Sequence, residues 1–185
     1  MMKPLLALLL ATAPAVAATS QNTPAGRWTL ASSTEGCVVH AASGKGTILS
    51  IAASPAQDAL MFVVQNPELA ALEDGAQYPV QVEFDQMGAW QIEATAQHEI
   101  DSDGPGIMFA VQPGREDGAN FIKEFAAAEG MHIGDAGDRL DSLPLTGSDT
   151  AMAGMAECLG QMLGATGTAA EEKPLFEGGG KAVKI

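Results

Sequence analysis

The chain has 185 residues, 46% of them hydrophobic and 17% charged, which is enough apolar material for one domain with its own core and excludes wholesale disorder. Nine basic residues stand against 23 acidic ones, a formal net charge of −14. A surface of that sign repels nucleic acid and anionic lipid headgroups, because both present dense negative charge, and it suits a cationic protein partner.

The first twenty residues read as a secretory signal peptide. Met1-Met2-Lys3 is a basic start, Leu5–Leu10 an apolar centre, and Ala15-Val16-Ala17 a small-x-small exit. The spacing predicts a cleaved segment over 1–17, with cleavage after Ala17 or, using Val16 and Ala18, one residue later. The apolar stretch falls short of the roughly 20 residues a bilayer span needs, and no second run of that length follows, so no stable membrane insertion is expected after cleavage. The Ala-rich style points to the periplasm or the medium. In that oxidising setting Cys37 and Cys158, an even pair without neighbouring metal-ligand spacing, are predicted to form a disulfide.

Residues Thr19–Ala25 read as a lead-in. Trp28 and Leu30 mark a strand over Arg27–Ser32, and Cys37–Ala41 reads as a second. The turn Ser43-Gly44-Lys45-Gly46 leads to Thr47–Ala53. Asp58–Val64 follows, and both of these runs are apolar on both faces, as in central strands covered on two sides or with one of them buried under a helix. Asn66-Pro67 breaks the pattern before a short helical turn at Glu68–Leu72. Val80, Val82 and Phe84 then alternate with polar residues, as do Trp90, Ile92 and Ala94, with Asp85–Gly88 between them, which is a hairpin. The acidic loop Glu99–Gly106 leads to a strand at Ile107–Gln112.

A helix is predicted from Asp117 or Asn120 to Gly130, burying Phe121, Ile122 and Phe125. Short strands at Met131–Ile133 and Leu140–Leu145 follow. A second helix is capped by Ser148 or Asp149 and carries Met152, Met155, Cys158, Leu159 and Met162 on one stripe, which reads as core. These elements predict a single α+β domain over 26–163: an antiparallel twisted sheet or open barrel with two helices packed on one side. Several strands precede the first helix, which argues against a parallel βαβ sheet. From Gly164 the composition turns small and acidic, and 164–185 reads as a flexible tail.

No cofactor or metal motif is complete. Glu99-x-Asp101-x-Asp103-Gly104 matches the first half of a calcium loop, but Pro105 and Ala110 occupy positions where the loop needs a ligating residue and a bidentate carboxylate. Gly44-Lys45-Gly46-Thr47 lacks the upstream glycine of a phosphate-binding loop. His40, His98 and His132 are the available bases for nucleophilic catalysis, but no Gly-x-Ser-x-Gly elbow accompanies them. No catalytic set is legible, and the reading leans away from an enzyme. The sequence predicts an exported, periplasmic, non-catalytic protein that binds or regulates another protein. The alternatives are a small secreted hydrolase using one of the three histidines, and a calcium- or ligand-binding module at Glu99, Asp101 and Asp103.

Overall fold

The computed structural model describes residues 21–22, 28–100, 104–135, 139–165 and 180–184. The predicted signal peptide, with Ala17 and Ala18, lies outside the described residues. The strands in chain order are β1 (Gln21–Asn22), β2 (Trp28–Ser32), β3 (Cys37–Ala42), β4 (Ile48–Ala53), β5 (Leu60–Gln65), β6 (Gln77–Phe84), β7 (Gly88–Gln97), β8 (Gly106–Val111), β9 (Gly130–Gly134), β10 (Arg139–Pro144) and β11 (Gly180–Lys184). Two helices, α1 (Glu116–Ala127) and α2 (Ser148–Ala165), and a 3-10 turn at Pro67–Ala71 complete the described elements.

All eleven strands belong to one sheet, ordered β1-β2-β3-β4-β5-β8-β11-β7-β6-β9-β10. The fold is a β-rich half-barrel, which corrects the expectation of an α+β domain. Two features caused the misreading. The hairpin strands run longer than their clear alternation, to 8 residues in β6 and 10 in β7. Two further strands, β1 and β11, carry no apolar alternation that would announce them.

Phe121 and Phe125 of α1 lie one helical turn apart and fill the inner face of the sheet. The Phe121 ring meets Phe62 of β5, Phe84 of β6 and Trp90 of β7 at centroid distances of 5.4, 5.1 and 5.4 Å. Phe125 reaches Trp28 of β2 at 5.9 Å, edge to face. One helix thereby ties four strands of the half-barrel together. β5 is buried along its whole length, as its unbroken apolar run predicts. Its Met61 and Val63 belong to a second, smaller cluster with Ala52, Ile100 and Met108 on the opposite face.

α2 is held by the Cys37–Cys158 disulfide, whose Cα atoms are 6.3 Å apart. Met162 packs beside it, its sulfur 3.5 Å from Cys37 Sγ. The predicted bridge between the first strands and the last helix is present. Ser148, expected as a cap, instead is the first residue of α2 and donates its hydroxyl to the Phe125 carbonyl at 3.2 Å, satisfying an acceptor near the end of α1. α1 itself stops at Ala127, because Gly130 already begins β9.

The segment expected to be a flexible tail contributes Gly164 and Ala165 to α2 and Gly180–Lys184 to β11. Residues 166–179 lie outside the described residues. β11 enters the sheet between β7 and β8, which pair with each other directly only at Thr95–Gln97 and Gly106–Met108.

Candidate functional site

Three groups of polar side chains were built up from the strands, and each carries a different chemistry. The first is a buried carboxylate. Alternation along β10 turns Asp141, Leu143 and then Leu145 toward the core, and Asp141 is 3% exposed. The Asp141 carboxylate accepts hydrogen bonds from Ser43 Oγ at 2.6 Å, Thr47 Oγ1 at 2.5 Å and the Ser142 amide at 2.7 Å. Lys45 Nζ adds its charge at 3.9 Å, and Asn66 Nδ2 donates to Thr47 Oγ1 at 2.7 Å. Burial alone would raise the Asp141 pKa, but the hydroxyl and amide donors and Lys45 together hold it below the ordinary carboxylate value. The Ser43–Thr47 turn joins β3 to β4, far from β10 in the sheet order, so this network closes the half-barrel through side chains where no ladder does. Ser43, Thr47 and the Ser142 amide all donate to the carboxylate, and Asn66 braces Thr47 from behind, so the work of the network is structural.

The second group lies on the outer face. His132 of β9 and Ser142 of β10 are direct cross-strand partners, and His132 Nδ1 is 2.6 Å from Ser142 Oγ. On the other side of the ring, Nε2 is 3.3 Å from Asp85 Oδ1 in the β6–β7 turn. A serine, a base and a carboxylate are therefore in line, which is the order nucleophilic catalysis uses. Among the described residues, neither an oxyanion donor nor a substrate pocket accompanies them. The Ser142 amide, the nearest backbone donor in sequence, is given to Asp141 Oδ1. Two cavities of about 500 Å³ open elsewhere, one beside Leu60, Gln112 and Arg115 and one beside Tyr78, Ile133 and Arg139. Neither is lined by His132 or Ser142.

The other two histidines are apart from this group. His98 Nε2 lies 2.7 Å from the Leu72 carbonyl, and the His98 amide donates to Asp74, so this residue pins a loop. His40 sits half-buried in β3, where its carbonyl accepts from Thr29. In the predicted calcium loop, Glu99 is exposed, while Asp101 and Asp103 lie outside the described residues. Among the described residues, no group of three or more His, Cys, Asp or Glu side chains gathers to hold a metal.

The third group was not foreseen. Glu124 of α1 accepts the Trp90 indole N–H at 2.8 Å on one carboxylate oxygen and the Lys184 ammonium on the other. Lys184 Nζ also donates to the Met87 carbonyl at 2.9 Å and lies 5.5 Å from the centroid of the Trp90 ring. A carboxylate oriented by an indole, a backbone carbonyl and an aromatic face together form a socket for one lysine. The only advance signal was the alternation that placed Trp90 in a strand. Its partners come from α1 and β11, which no local pattern connects.

No family model matches the chain, and no curated protein or solved structure matches it either. The disulfide is consistent with an exported protein. Among the described residues, no helix is long and apolar enough to cross a membrane.

Proposed function

We propose that this chain is an exported, periplasmic, non-catalytic protein that binds a cationic protein partner. The observation that carries the reading is the Glu124 socket, a built receptor for a lysine side chain on a chain of net charge −14. The chain's own Lys184 occupies it in this structure, and the Trp90 indole holds the other carboxylate oxygen in place. The net charge supplies long-range attraction, and the socket supplies a place for the cation to stop.

The test is binding of the purified full chain to a lysine-rich peptide and to a glutamate-rich peptide of equal length. Screening shortens from about 30 Å at 0.01 M ionic strength to about 8 Å at 0.15 M. Binding of the lysine-rich peptide alone, weakening across that range, is the expected result. Equal response to both peptides, or to neither, would remove the proposal.

The Ser142–His132–Asp85 alignment favours a second reading, an acyl-transfer hydrolase. Ser142 Oγ would bond to the ester carbonyl carbon as its proton passes to His132 Nδ1, and the alkoxide would leave with that proton. Covalent labelling by a fluorophosphonate probe decides it. Mass spectrometry that finds Ser142 unmodified after prolonged exposure would end this reading.

A further inference from the structure

β7 and β8 form a fork. They are hydrogen-bonded neighbours where Thr95–Gln97 meet Gly106–Met108, and beyond that point they part by the width of one strand. β11 fills the opening. Gly180 and Lys181 pair with Phe109 and Ala110 of β8, the one parallel pairing among the described strands. Ala182, Val183 and Lys184 pair antiparallel with Ile92, Gln91 and Trp90 of β7. Two strand edges thus face one another across a slot, and both offer backbone donors and acceptors that any extended segment can use.

The slot has one reading head. At the Trp90 end, the Lys184 ammonium enters the socket of Glu124, the Met87 carbonyl and the Trp90 ring. Gly88 turns the chain beside it with φ +93°, a conformation that favours glycine. Glu124 is 19% exposed and its charge is unneutralised once the lysine leaves, whereas Lys184 is 41% exposed and rehydrates readily. The fork therefore has a standing requirement for a cation, and β11 supplies one that can depart.

We propose that the β7–β8 fork is the receptor for an extended, lysine-bearing segment of a partner protein, and that β11 is its resident occupant until that segment arrives. This rests on the binding role proposed above and specifies its site. The incoming segment replaces the backbone ladder of β11 bond for bond and places its own lysine on Glu124. Affinity is then set by how often β11 vacates the fork, because a site filled in cis binds a competitor only in its open fraction. A partner with a second basic residue near the rim gains from the surrounding negative charge, which β11 already enjoys and cannot increase.

The probe is a fluorescent peptide, Gly-Gly-Lys-Ala-Val-Lys-Ile, followed by anisotropy against four forms of the full chain. Ala182→Pro with Lys184→Glu removes a ladder donor and the socket cation, so β11 is ejected. That chain binds the peptide at least about 10-fold more tightly than the wild type, and Glu124→Gln in the same background reverses the gain. A peptide whose second lysine is glutamate binds at least about 10-fold more weakly. Gln91→Cys with Val183→Cys, placed at Cα partners, locks β11 in the fork once oxidised, and this form excludes the peptide. The locked form keeps the test sound should the ejected variant fail to fold. Peptide binding by the locked chain equal to that of the wild type overturns the proposal. So does a wild-type dimer whose fork holds β11 of the second copy, which light scattering at the assay concentration reveals. Binding of cationic peptides that is indifferent to the lock would leave the general binding role standing and place it elsewhere on the surface.

Discussion

Thr47 and Asp141 are 94 positions apart, yet the Thr47 hydroxyl donates to the buried Asp141 carboxylate at 2.5 Å. Thr47 precedes β4 and Asp141 lies in β10, strands that are never neighbours in the sheet. The half-barrel is therefore clasped by one charged side chain rather than by a final strand pairing.

That clasp makes stability depend on acidity. The Asp141 carboxyl is held below its ordinary value in the folded chain, so its contribution is fully present above the unfolded value, about pH 3.9, and fades as pH falls toward the lower folded value. Asp141→Asn is expected to cost about 1–3 kcal/mol at neutral pH, because the half-buried Ser43 and the buried Thr47 hydroxyls lose a charged acceptor. Urea denaturation at several pH values checks this. The gap between wild type and variant narrows below about pH 4, and a gap that stays constant down to the acid limit refutes the assignment.

The disulfide makes a separate prediction. The loop it closes spans 121 residues, and the chain-entropy estimate for such a loop is about 4–5 kcal/mol, an upper figure where the reduced chain retains structure. Cys37→Ser with Cys158→Ser therefore melts well below the wild type, and α2 is the element that loosens, since it contacts β2, β3 and α1 but pairs with no strand edge. Hydrogen exchange resolved by segment shows it. Protection lost evenly over sheet and helices would contradict the local role given to the bridge.

α1 is seated by a close approach at its first turn. A Cβ at the buried Gly118 would overlap the Gln112 carbonyl, so Gly118→Ala forces the turn away from β8 and is expected to cost about 1–3 kcal/mol despite the better helix propensity of alanine. Phe121→Ala, from the same helix, costs about 3–5 kcal/mol through the space left between Phe62, Phe84 and Trp90. Thermal melts of both variants suffice. A stabilised Gly118→Ala chain would show that the turn can shift freely.

Much of this arrangement was legible from local pattern, and the rest was not for identifiable reasons. The hairpin β6–β7 announced itself because Val80, Val82, Trp90 and Ile92 each occupy the core side of a period of two. The cysteine pair could be read because chemistry and compartment left few partners. The weight of β over α was misjudged because β11 is made of Gly-Lys-Ala-Val-Lys, a stretch that signals a strand only once β7 and β8 offer it two edges. Asp141 carried a signal that went unused, since the alternation of Asp141, Leu143 and Leu145 puts the aspartate on the apolar side. The meeting of His132 with Ser142 depends on the β9–β10 register, which residue spacing alone does not set.

The position of β11 in chain order also governs how the sheet is assembled. β11 is the last described strand in chain order, so its cover over the edge of β7 at Trp90–Ile92 is absent until Gly180–Lys184 has been made and delivered. Throughout that interval an unpaired edge stands beside aromatic core, the arrangement most open to pairing between unfinished chains. The last described strand is thus also a guard against aggregation, and conditions that slow its arrival should lower the yield of folded chain before they alter the fold itself.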